Sequence, residues 1–293
     1  MKHMYLIFGI LACSDPKDSS SDSNTDSSTD TDTDSEEMQG QNMLLIGNSF
    51  FKPYAEHLDT LAIDAGIENH ASTLVTRGGE NGQPINFWND SETNEHGKIK
   101  DTLDQGGIEL FGMTSGHDLE NPEDRVEGHR AWIDYALQNN PDISIFIAIP
   151  AIDFPADWDQ RAEEYGFTSI QELYTYFVND MVHKEMVDQL RVEFPSTPIF
   201  TIPTGWTAVN LAEMQENDEL LDEITLSGPK ATSIFTDEKG HQGQIVIETG
   251  TLLWLSSIYG VDLSTHTYDT GFNTDLHAIA EQIVDNHDAD YKR

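Results

Sequence analysis

Two segments of this sequence carry residue types that do covalent chemistry together. In Leu44-Leu45-Ile46-Gly47-Asn48-Ser49-Phe50, a serine follows a short apolar run. In Thr236-Asp237-Glu238-Lys239-Gly240-His241, a histidine follows two acids at spacings of four and three. A serine hydroxyl is a weak nucleophile until a base removes its proton, and the base needs a carboxylate to hold its tautomer. Each segment alone has a plainer reading: Ser49 as a helix cap, and His241 as one of eleven histidines on an acidic surface. Together they supply a nucleophile, a base and an acid. Spacing leans towards Glu238 as the acid and leaves Asp237 open. No G-x-S-x-G is present, so an α/β-hydrolase elbow is not indicated.

The elements that must position these residues alternate. A buried strand is predicted at Asn42 to Ile46, and further strands at Ala71 to Thr76, Ile108 to Thr114, Ile143 to Ile149 and Pro198 to Ile202, each a short apolar or β-branched run. Helices are predicted at Pro53 to Ala65, Glu123 to Leu137, Ile170 to Val192 and, as the last, Gln244 to Tyr259 with Gly260 as its stop. Strands alternating with helices give an α/β fold whose largely parallel sheet is covered on both faces. In open sheets of this kind a site lies beyond the carboxyl ends of the strands. Ser49 falls there, beside a helix N-terminus whose N–H groups favour developing negative charge.

The two segments together resemble the SGNH hydrolases, also called the GDSL esterase/lipase family. Gly47-Asn48-Ser49 matches that family's G-D-S or G-N-S after the first strand. The family's D-x-x-H is altered here, with Glu238 three and Asp237 four residues before His241. The resemblance covers roughly residues 42 to 260 in element order. It implies a three-layer α/β/α sandwich with a mainly parallel sheet, SGNH-hydrolase or flavodoxin-like. It also implies serine-esterase activity through an acyl-enzyme, with no cofactor and no metal. The family's oxyanion hole joins the serine N–H to a glycine N–H and an asparagine amide. Arg77-Gly78-Gly79-Glu80-Asn81-Gly82 offers Gly79, with Gly78 as second choice. Where the family has G-x-N-D, this chain has Ser115-Gly116-His117-Asp118, which places His117 at the asparagine. A neutral imidazole can donate one hydrogen bond, and Asn81 is the rival donor.

Trp88, Trp158 and Trp206 follow the Gly-rich loop, the fourth strand and the fifth strand, and are candidates to stack on sugar rings. The charged, aromatic segment from Ala156 to Phe167 reads as a rim or lid. An exported enzyme of this kind looks like a carbohydrate O-acetylesterase acting on acetylated polysaccharide. A short-chain esterase or lipase on the same fold, or a glycan-binding protein without turnover, are the other readings. His117, Asp118, Glu123, Asp124 and His129 are near one another in sequence but form no H-E-x-x-H or comparable metal pattern.

Composition narrows the partners. Fifteen Lys and Arg stand against 53 Asp and Glu, a formal charge of −38. Nucleic acid is excluded as a partner, because phosphate binding needs a basic footprint. Direct binding to anionic lipid is disfavoured for the same reason. Lys2 and His3 precede an apolar stretch ending at Cys13, the one cysteine. Ile10-Leu11-Ala12-Cys13 resembles a bacterial lipoprotein cleavage box. That reading makes residues 1–12 a signal peptide and Cys13 a lipidation site that would hold the protein on the cell envelope; ordinary secretion is the alternative. Residues 13–38, almost wholly Ser, Asp, Thr and Glu, read as a disordered linker, and 39–293 as one catalytic domain. Nine acids and two lysines lie before Met38, so the remainder still carries 13 bases against 44 acids, a net −31. A domain this acidic repels itself at low salt and points to a saline habitat.

Overall fold

The structure is a computed structural model, and it describes residues 38–116 and 122–293. The expected leader, Cys13, nearly all of the linker, and His117 with Asp118 lie outside the described residues.

Five strands build the central sheet: β1 (Asn42–Gly47), β2 (Ala71–Thr76), β3 (Leu110–Thr114), β4 (Ser144–Ala148) and β5 (Ile199–Ile202). They pair in the order β2-β1-β3-β4-β5, every pair parallel. Met43 to Ile46 of β1 and Ile145 to Ile147 of β4 are wholly buried. Such continuous apolar runs are what a strand needs when helices cover both faces. The helices in chain order are α1 (Lys52–Asp64), α2 (Pro84–Asn89), α3 (Asn94–Asp104), α4 (Pro122–Leu137), α5 (Trp158–Glu164), α6 (Ile170–Tyr176), α7 (Asp188–Glu193), α8 (Gly205–Glu216), α9 (Gln244–Tyr259) and α10 (Leu276–Asn286). One layer packs α1 and α10 on α9, and the other packs α4 on α2, α3 and α7. The result is a three-layer α/β/α sandwich.

Chain order reverses between β1 and β3: β2 lies on one side of β1, and β3, β4 and β5 lie on the other. The connections therefore diverge at the carboxyl ends of β1 and β3 and leave a crevice there. Ser49 lies just past the end of β1, and Gly116 just past the end of β3.

The structure departs from the sequence expectations in several places, among them α2, α3, α5 and α8, which lie where no helix was expected. α9 is not the last helix, because α10 follows and packs on it. The helix expected from Ile170 to Val192 is continuous, but its middle, Phe177–Val187, is wound in wider π-helical turns. A small parallel pair, β6 (Thr225–Ser227) and β7 (Ser233–Phe235), leads directly into the Thr236–His241 loop.

Candidate active site

The turn after β1 is shaped by Asn48. Its carbonyl accepts from the N–H groups of Phe51 and Lys52 at 3.2 and 3.0 Å. Its side-chain Oδ1 accepts from Phe50 and Phe51 at 3.0 and 3.3 Å. Asn48 therefore does the capping that serine commonly does, and Ser49 is left to point elsewhere. Its Oγ lies 2.8 Å from Nε2 of His241.

His241 belongs to a loop that folds back on itself. The Thr236 N–H donates to the His241 carbonyl at 2.7 Å, and the Gly240 N–H donates to the Asp237 carbonyl at 3.1 Å. Gly240 makes the reversal with φ +96°, a backbone conformation that favours glycine. Closure curls Asp237 beneath the imidazole. Its Oδ2 lies 2.6 Å from Nδ1 of His241, and its Oδ1 accepts from the N–H groups of Gly240 and His241, both at 3.1 Å. Partial burial raises the Asp237 pKa, but the hydrogen bonds from the His241 ring and backbone and from Gly240 outweigh it. The carboxyl is held below its ordinary range. The acid on Nδ1 is thus Asp237, four residues before the histidine, and not Glu238, towards which spacing leaned. Glu238 is at the exposed tip of the loop. The turn closed by the Gly240 and Thr236 hydrogen bonds brings the acid four residues before His241 onto Nδ1.

Two further contacts hold His241 beside the Ser49 turn. The Phe50 ring stacks on the His241 imidazole, centroids 4.8 Å apart and planes 21° apart. Gln242 Nε2 donates to the Phe50 carbonyl at 3.1 Å. The Lys239 ammonium is 6.0 Å from the Phe50 ring centroid and 3.8 Å from Oδ2 of the buried Asp153. Sequence reasoning passed over Phe50, Gln242, Lys239 and Asp153. Phe50 and Gln242 had a legible signal, since each directly follows a reactive residue.

The Gly-rich segment forms a short 3-10 turn, Gly79–Gly82, pressed against the nucleophile turn. A Cβ on Gly82 would fall 2.7 Å from the Asn48 Cα and 2.4 Å from the Arg77 carbonyl, so only glycine permits this approach. Gly79 opens the turn with φ +57°. A Cβ there would meet only Lys239 Nζ, at 3.9 Å. Asn81 is exposed on this turn. The side chain of Gln83, the next residue after the turn, lies over Gly116, whose added Cβ would be 3.3 Å from Gln83 Nε2.

The three tryptophans have different places. Trp158 is buried, donates its indole N–H to the Ile152 carbonyl at 2.8 Å, and meets Phe235 of β7 edge-on. It is a packing residue under the strand that leads into the Thr236–His241 loop, which corrects its expected role in binding. Trp206 packs edge-on against Tyr174 and lines a cavity with residues of α8 and α10 such as Asn210 and Gln282. Neither Ser49, Asp237 and His241 nor the Gly79–Gly82 turn contributes to that cavity's lining, so Trp206 is also set apart from the expected binding surface. Trp88 lines a groove that begins at Glu80 and Gln83. Among the described residues, no group of three or more His, Cys, Asp or Glu is gathered to hold a metal.

No protein-family model matches the chain, and no curated protein matches it. Among solved structures it is similar to the periplasmic domain of a Salmonella ser. Paratyphi A lipopolysaccharide acetyltransferase, at 14% identity and a TM-score of 0.35. The match covers 56% of this chain and 66% of that one, so the chain spans just under two thirds of that domain's length. With likeness this distant, the geometry of Ser49, His241 and Asp237 is what bears on function.

Proposed function

We propose that this protein is a serine esterase of the SGNH type, hydrolysing ester bonds through an acyl-enzyme, and that its substrates are O-acetylated carbohydrates. The observation that carries the reading is the linear relay from Ser49 Oγ to His241 Nε2 at 2.8 Å and from His241 Nδ1 to Asp237 Oδ2 at 2.6 Å. Ser49 Oγ attacks the ester carbonyl carbon while its proton passes to Nε2. Asp237, ionised, stabilises the imidazolium so formed. The carbonyl oxygen becomes an oxyanion, and the N–H groups of Ser49 and Gly79 receive it in this reading. Collapse breaks the bond to the leaving alcohol, which takes the proton from Nε2. Water then attacks the acyl-enzyme with His241 again as base, releasing the carboxylic acid and restoring Ser49. In this reading the chain is exported and held on the envelope through Cys13.

The test is turnover of p-nitrophenyl acetate and butyrate by wild type beside Ser49→Ala. The expected result is hydrolysis faster on acetate, lost by about 10⁴-fold or more in the mutant. Hydrolysis that survives in Ser49→Ala would end the proposal.

A further inference from the structure

A polar groove of about 780 Å³ runs from the Gly79–Gly82 turn along α2 and α4, far from the acid-base loop in sequence. Its volume is in the range of small-molecule and cofactor sites, roughly 300 to 1,000 Å³. Two contacts relate one end of it to the turns that follow β1 and β3. Gly82 touches Asn48, the residue before Ser49, and the Gln83 side chain lies over Gly116 at the carboxyl end of β3. Gln83 thus belongs both to the crevice beside Ser49 and to the lining of the groove.

The groove's lining is specific in kind. Trp88 offers a half-buried indole, held edge-on against Trp132 with centroids 4.9 Å apart. Asn86 is held in place by donating to the Glu80 carbonyl at 2.7 Å. Arg130 is already committed to a two-pronged pair with Glu193. Glu80, Glu127, Asp134 and Glu193 set four carboxylates against that one guanidinium. A flat aromatic surface bordered by amides and carboxylates suits a polyhydroxylated ring, whose C–H face packs on the indole and whose hydroxyls donate to the carboxylates. The excess of negative charge works against a ligand bearing carboxylates or sulfates.

We infer that this groove binds the saccharide chain of the substrate, a glycan without anionic groups, and presents its acylated sugar to Ser49. This rests on the esterase reading above but concerns a surface that the chemistry does not use.

Binding is measured separately from turnover, by titration calorimetry on the full chain carrying Ser49→Ala. The probe is a partly O-acetylated xylo-oligosaccharide, with oligogalacturonate as the anionic counterpart. Adding Ala131→Trp fills the groove from α4, and Asp134→Ala removes one hydroxyl acceptor without adding bulk. The expected result is xylo-oligosaccharide binding that weakens at least tenfold with Ala131→Trp and severalfold with Asp134→Ala, at a melting temperature near the parent's. Oligogalacturonate is expected to bind at least tenfold more weakly than the neutral probe. Absence of binding, affinity unchanged in both folded variants, or equal affinity for the anionic probe overturns the inference. Failure of the esterase reading shows elsewhere, as p-nitrophenyl acetate hydrolysis that does not depend on Ser49.

Discussion

At the scale of single residues, the acid is the sharpest point. Asp237 orients His241 through Nδ1 and is itself held by two backbone N–H groups. Asp237→Asn preserves the shape but reverses what the position can offer: an amide can present a donor to Nδ1 and stabilise the wrong tautomer. The expected loss in kcat is about 10³- to 10⁴-fold, whereas Glu238→Gln, at the exposed loop tip, is expected to stay within about twofold. Esterase kinetics on the two variants decide the matter, and the opposite ranking would return the role to Glu238. The pH dependence follows from the same bonds. Because they hold the Asp237 pKa below its ordinary value, the stabilisation from ionised Asp237 is present above the unfolded value and is lost only as pH falls through the lower folded one. Asp237 therefore stays ionised across the mildly acidic range, and a loss of activity there must come from another group. Asn48 is the second residue of consequence. Its Oδ1 serves two N–H groups in a buried turn, so Asn48→Ala should cost about 1–3 kcal/mol in urea unfolding. It should also slow turnover by loosening Ser49.

At the scale of elements, the Thr236–His241 loop is braced by the segment after β4. The Phe154 N–H donates to the Lys239 carbonyl at 3.0 Å, and Pro155 sits against Gly240. To make this contact Phe154 adopts φ +57°, a left-handed conformation costly for a bulky residue, while its side chain remains exposed. Phe154→Gly should therefore keep or raise the melting temperature, and Phe154→Val should lower stability by about 1–3 kcal/mol; thermal unfolding of the pair compares them directly. The same element shows what sequence could and could not carry. β1, β3 and β4 were legible because a strand buried on both faces must be a largely continuous apolar run, and Ser49 was legible because β1 ends just before it. α10 was readable in principle: Leu276, Ile279, Ala280 and Ile283 form a helical stripe and are its buried residues. The packing role of Gly82, and the choice of Asp237 over Glu238, were not. They come from close approach between distant segments and from the closed turn of the Thr236–His241 loop. Neither fact leaves a periodic mark. Trp158 illustrates the reverse error, since a tryptophan after a strand end looks the same in sequence whether it faces a ligand or props a neighbouring strand.

At the scale of the whole molecule, two electrostatic effects oppose each other on acidification. The first is self-repulsion. With a formal charge of −38, protonating surface carboxylates relieves repulsion, so falling pH stabilises the fold where salt is low. The second lies in a buried cluster around Thr201 of β5. His183 Nε2 and His287 Nε2 both meet the Thr201 hydroxyl, at 2.9 and 3.0 Å, and the His183 ring stacks on Tyr291 at 3.7 Å. Burial, with repulsion from His287, pushes the His183 imidazole down to about 3. Burial pushes His287 down to about 4 despite its bond to the Thr201 carbonyl. Both folded values lie below the unfolded value near 6.5. The unfolded chain therefore binds more protons between about pH 3 and 6.5, and stability from these histidines is full above that window and lost as pH falls through it. Salt separates the two effects, because the Debye length shrinks from about 30 Å at 0.01 M to about 3 Å at 1 M while a buried pair is barely screened. In 1 M NaCl the melting temperature should be higher at pH 7 than in 0.01 M, and should fall steadily from pH 7 to pH 5. In 0.01 M NaCl the fall should be smaller or reversed. A His287→Gln chain keeps a partner for Thr201 but cannot titrate, so its melting temperature in 1 M NaCl should change less over the same interval. If it follows the wild type, the acid sensitivity belongs to groups outside this cluster.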